Sequence, residues 1–145
     1  LVGKHIGRGW VRGFTITGGA IASTIGHDSH NVCVVGDSAA DMMAAVEAVG
    51  QGGHVLVRNG KVVARIPLAL GGLMSEGTAE DVAAQHDDFM VKARAMGIES
   101  PLDPIMGIIF LPLPVIPTLR IRPEGMFDVT TFTYADQSSG TFLND

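Results

Sequence analysis

The sequence holds a single cysteine, Cys33, so no internal disulfide can form. Flanked by "NV" and "VVG", Cys33 reads as a small apolar core residue rather than a nucleophile, which fits a reducing, cytoplasmic compartment. Positive charge is also scarce. Ten Lys and Arg stand against fifteen Asp and Glu, for a net charge of −5, which argues against a nucleic-acid binder with its basic face. Aromatic residues are few. No apolar run reaches the ~20 residues that a membrane helix needs. The longest, "IMGIIFLPLPVIP", is broken by Pro112, Pro114 and Pro117. No signal-peptide pattern, internal repeat or low-complexity segment occurs. The sequence opens on Leu1 rather than Met, as a piece of something longer or a processed chain would.

What is present is enough for one domain: 145 residues, with 46% of them hydrophobic, can bury a normal core. Glycines crowd residues 1–19, which we expect to be a loop-like lead-in or linker. Residues 20–134 would form the domain, and 135–145 a loose polar tail. "AIASTI" and "NVCVVG" read as short strands. In "DSAADMMAAVEAVG", Ser38 followed by Asp41 is a helix start of the capping-box type, Met42, Val46 and Val49 recur at helical spacing, and Gly50 offers a stop. "HVLVRNGKVVARIP" is a β-hairpin, because Asn59-Gly60 suits a two-residue turn with positive φ at both positions. Thr78 and Asp81 open a second helix that ends at Gly97, with Val82, Phe89, Met90, Ala93 and Met96 as its buried stripe. The prolines make the second half of the apolar segment extended or irregular. "TLRI" and "TTFTY" could each add a strand. The expected fold is α+β: a mixed or antiparallel sheet with two or more helices packed on one face, and no TIM barrel.

The chemistry concentrates in "STIGHDSHNVCVVG". His27, Asp28, Ser29, His30 and Asn31 stand between two apolar runs. Two histidines three apart point to opposite faces of a regular strand, so a metal pair is not favoured, although a turn could join them. Asp, Ser and Asn also form turns by bonding nearby backbone, so a plain polar loop accounts for the pattern. The other reading is a ligand-contacting site in which His27, Asp28 or His30 exchanges protons or hydrogen bonds. Glu76, in the turn "GGLMSEG", is a weaker candidate, because that turn also serves as the lead-in to the second helix. "GKHIGRG" is not a phosphate loop, since no Gly-Lys-Ser/Thr occurs. His5, His54 and His86 are isolated, and His86 on the apolar side of its helix reads as a packing residue.

Beyond these local signals, "GAIASTIGHDSHNVCVVG", "DMMAAV", "NGKVVARIPLALGGLMSE", "PIMGIIFLPLPVIPTLRI" and "GMFDV" resemble, in order and spacing, segments of bacterial and archaeal adenine deaminases. The resemblance runs over about residues 3–132; it departs at "FTIT", at "GDSAAD" and in the tail. It implies the amidohydrolase superfamily and the reaction of adenine and water to hypoxanthine and ammonia. In that family a metal, manganese or iron, sits in a (β/α) barrel and supplies the attacking hydroxide. This chain has no barrel pattern, so the resemblance implies a C-terminal domain without its own cofactor, inactive without the barrel. The implied partners are adenine or a related purine, the barrel domain and further copies of the enzyme, with no nucleic acid and no membrane. His27, Asp28, Ser29, His30 and Asn31 would then lie near the substrate, if their loop closes over the barrel's mouth. The alternative is a free-standing, non-catalytic module for purine binding or assembly.

Overall fold

In a computed structural model, residues 5–98 and 103–135 are described. The expected tail from residue 136 on therefore lies outside the described residues. The order is β1 (Ala20–Ser23), β2 (Cys33–Gly36), α1 (Ala39–Val49), β3 (Gly53–Arg58), β4 (Lys61–Pro67), α2 (Ala79–Ala95), α3 (Pro104–Ile109), β5 (Leu119–Arg122), β6 (Gly125–Asp128) and β7 (Thr133–Tyr134). Among the described residues two sheets form, ordered β2-β1-β3-β4 and β5-β6-β7. Every pairing is antiparallel. The fold is α+β.

The local signals act as their chemistry requires. Asn59 and Gly60 take φ of 52° and 73°, and Arg58 pairs with Lys61 across them. Thr78 completes a capping box with Asp81. At α1 only half of that device forms. The Ser38 hydroxyl accepts from Asp41 N, but the Asp41 carboxylate turns away to accept from Gly60 N at 2.6 Å, which ties α1 to the hairpin.

Both faces of the four-stranded sheet are covered, and here the expectation of helices on one face is corrected. Ile21, Leu56, Ala64 and Ile66 pack with Phe89 and Ala93 of α2 and with Ile105, Ile108 and Ile109 of α3. Ala20, Ala22, Val55 and Val57 pack on the opposite side with Ala45 and Val49 of α1. The reason lies in "AIAS". Its alternate positions 20 and 22 are alanines, small enough to seat a helix yet indistinguishable from a one-sided apolar run in pattern. Two further elements go beyond the expectation. The first half of the apolar segment is the short helix α3, with Asp103 as its N-cap and Pro104 in its first turn. "GMFD" adds β6.

Candidate functional site

The loop from Thr24 to Val32 leaves the buried strand β1 and returns as β2. Its base is anchored on three sides. The Thr24 hydroxyl donates to Gly72 O at 2.6 Å and accepts from Gly53 N at 2.8 Å. The His27 N–H donates to Ile109 O at the end of α3 at 2.9 Å. The His27 ring stacks on Phe110, with centroids 5.4 Å apart and planes 13° apart. Gly26 is packed so tightly that a methyl group there would meet Cys33 Sγ at 3.0 Å and Asn31 O at 3.1 Å. Beyond this base the loop turns back on itself. His30 N donates to Gly26 O at 2.6 Å, with His30 at a left-handed φ of 51°.

The five residues therefore divide. His27 is half-buried and held, while Asp28, Ser29, His30 and Asn31 are exposed. Asn31 Nδ2 donates to Ser29 Oγ at 2.7 Å, so these two engage each other. The Asp28 carboxylate and the His30 ring take no hydrogen bond from the described residues. The His27 and His30 rings lie 6.0 Å apart and tilted. Among the described residues, no group of three His, Cys, Asp or Glu side chains is gathered to hold a metal ion. What the loop can offer is an acceptor at Asp28 and an imidazole at His30, presented from a rigid base to whatever faces them.

Glu76 stands elsewhere. It is exposed, between Ser75 and Gly77, two residues that line an open groove of about 690 Å³ together with Leu68, Met74, Val82 and His86. No hydrogen bond or ion pair joins Glu76 to the 27–31 loop among the described residues. The turn that carries it does reach the loop's base, through the bond from Thr24 to Gly72.

Two further residues, Phe110 and Asp103, support the site without having been legible as part of it. Phe110 supplies the ring under His27. Asp103 accepts from Ile105 N at 2.7 Å with one carboxylate oxygen and from His86 Nε2–H at 2.8 Å with the other. His86 is thus partnered by an acid on another helix rather than by apolar packing. His54 is 6% exposed, its Nδ1 has no hydrogen-bond partner among the described residues, and Phe89 meets it edge-on. Burial pulls its pKa down to about 4; the Asp103 charge opposes this and His86 adds to it. The "DP" pair that starts α3 was the one sequence signal for this cluster. Cys33 is half-buried against the edge of the core rather than within it, and burial raises its thiol to about 11, so it is neutral near pH 7.

These features define a small antiparallel α+β domain that presents a histidine- and acid-bearing loop from the end of a buried strand. Known proteins give that class a family. A family model described as the adenine deaminase C-terminal domain matches residues 2–133. The adenine deaminase of Gluconobacter oxydans is 48% identical over 135 residues, covering 90% of this chain and 23% of that protein. The adenine deaminase of Halalkalibacterium halodurans is 41% identical over 134 residues, covering 91% and 23%, and adenine deaminase 2 of Latilactobacillus sakei 43% over 135, also 91% and 23%. The chain belongs to the adenine deaminase C-terminal domain family, and it spans about a quarter of the length of these relatives.

Proposed function

We propose that this chain serves as the C-terminal domain of a metal-dependent, cytoplasmic adenine deaminase, converting adenine and water to hypoxanthine and ammonia, and that it is inactive by itself. The match to the family's C-terminal domain over nearly the whole described chain supports this reading. The relatives bear the name adenine deaminase and continue for about three quarters of their length outside the match.

In this reading a metal, manganese or iron, is held by an amidohydrolase-type barrel in that remaining part and supplies the activated hydroxide. This chain's own contribution is the 27–31 loop. Asp28 and His30 are its uncommitted polar groups, and they would meet purine nitrogens or orient a catalytic group when the loop lies over the barrel's mouth. His27 holds the loop's base through Phe110, and Asn31 with Ser29 fixes its tip.

The test is ammonia release from adenine, with added Mn²⁺ or Fe²⁺, by the 145-residue chain and by the full-length enzyme, followed by Asp28→Ala and His30→Ala in the latter. Activity confined to the full enzyme, reduced roughly 10²-fold or more in these variants, is the expected result. Unchanged turnover in well-folded variants would remove the loop from the active site. Activity in the 145-residue chain alone would overturn the supporting role. Its absence from both would favour a purine-binding or assembly module.

A further inference from the structure

The lead-in before β1 is not loose over the β5–β6 hairpin. A methyl group at Gly9 would meet Met126 Sδ at 2.8 Å and Ile121 Cδ1 at 3.1 Å, and one at Gly7 would collide with the Arg122 carbonyl. Positions 7 and 9 therefore press their backbone against β5 and β6, where no side chain fits. In an extended segment the intervening positions point the other way. Ile6 and Trp10 do so: they are 83% and 91% exposed, with Arg8 exposed between them. More exposed apolar side chains flank the same sheet, Val115 and Ile116 before β5 and Phe132 and Tyr134 beyond β6. Exposed large apolar side chains with a tryptophan and an arginine on one short segment have the composition of an interface centre.

We propose that the outward face of residues 6–10 is the seat on which the preceding three quarters of an adenine deaminase chain docks. This rests on the family reading above and adds the surface through which the two parts meet. The length of chain outside this domain argues for that occupant: the relatives extend it more than fourfold, and in a C-terminal domain that extension precedes this segment. The complementary surface would be apolar, with a carboxylate opposite Arg8. The seat is also continuous with the candidate site. Ile121 N, on the strand under Gly9, donates to Leu111 O at 3.2 Å, and Leu111 follows the Phe110 that carries His27. Docking at Trp10 would therefore fix the 27–31 loop relative to the preceding part.

Trp10 is the only tryptophan in the chain, which makes hydroxyl-radical footprinting read by mass spectrometry a direct test. It is applied to the 145-residue chain and to a chimera in which this chain replaces the matching quarter of the Gluconobacter oxydans enzyme. The expected result is roughly tenfold slower oxidation of Trp10 in the chimera, as for a residue at the centre of an interface. Ile6→Asp with Arg8→Glu should return Trp10 to its rate in the isolated chain. Both positions are exposed in the domain itself, so its circular dichroism should not change. Asp28→Ala and His30→Ala should lower turnover and leave Trp10 protected. If Trp10 is as reactive in the chimera as in the isolated chain, the seat is wrong, and normal deamination by that chimera would leave the functional reading standing. If the isolated chain forms dimers and Trp10 becomes protected as they form, the face belongs to a second copy and the proposal fails.

Discussion

His54 sits in β3 with a ring nitrogen that has no partner among the described residues and with Phe89 at its edge. Its pKa near 4, well below the usual 6.5, means that it is neutral in the fold and takes up a proton on unfolding. The depressed value gives stability that is complete above pH 6.5 and is lost as pH falls through 6.5 toward 4. The loss is up to ~3 kcal/mol for the cited shift. Replacing His54 by Leu should remove that part of the acid sensitivity. Thermal unfolding at pH 7 and pH 4.5 should show the wild type losing more of its Tm than His54→Leu, and equal losses would refute the assignment. Cys33 has the opposite sign. A thiol raised to about 11 favours the fold up to pH 9 and weakens it as pH rises from 9 to 11. At pH 8 it should react with iodoacetamide at least roughly tenfold more slowly than in urea-unfolded chain, since the thiolate is the reactive form. Equal rates would show that the thiol is open to solvent.

At the scale of elements, α3 links the half-exposed His86–Asp103 pair to the exposed loop. Asp103 caps its start and holds His86 of α2, while its end supplies the carbonyl of Ile109 and leads into the ring of Phe110 for His27. Asp103→Ala should cost about 1 kcal/mol for the cap alone. The His86 pair, half in solvent, should add little. Urea unfolding measures the sum. In the full-length enzyme the same change should lower turnover, whereas Asp87→Ala, at an exposed neighbour of His86, should not. Equal turnover in both variants would detach α3 from the site. None of this linkage shows in the sequence, and the reason is range. The Asn59-Gly60 turn, the Ser38 and Thr78 caps and the spacing of Phe89, Ala93 and Met96 depend on residues within one or two turns of chain, so they are legible. A six-residue helix completes fewer than two turns and shows no period, and the prolines after it dominate the pattern. The histidine-rich loop was legible as a candidate because its residue types stand out between apolar strands. Its support by Phe110 and Asp103 was not, because those contacts join residues about eighty positions apart, or seventeen between His86 and Asp103.

At the scale of the molecule, the small β5–β7 sheet adds no strand to the larger one, and residues 5–17 bind the two. Gly7 and Gly9 lie on β5 and β6. The Phe14 ring fills the space beside Gly107 of α3, where a methyl group would approach it to 3.0 Å. Thr17 N then donates to Met96 O at the end of α2, at 2.8 Å, just before the chain enters β1. One strap thus touches the second sheet, α3 and α2 in turn. A further attachment is the bond from Ile121 to Leu111. Stability should therefore be uneven, with the four-stranded sheet opening only globally and β5–β7 depending on the strap. Removing residues 1–13, or replacing Phe14 by Ala, should speed amide exchange in residues 119–128 by roughly tenfold or more. Residues 20–23 and 53–57, buried beneath helices on both faces of the sheet, should keep their protection. Hydrogen exchange read by mass spectrometry reports both regions in one experiment. Uniform acceleration across both sheets would mean that they unfold as one unit, and unchanged exchange in 119–128 would mean that the second sheet stands without its strap.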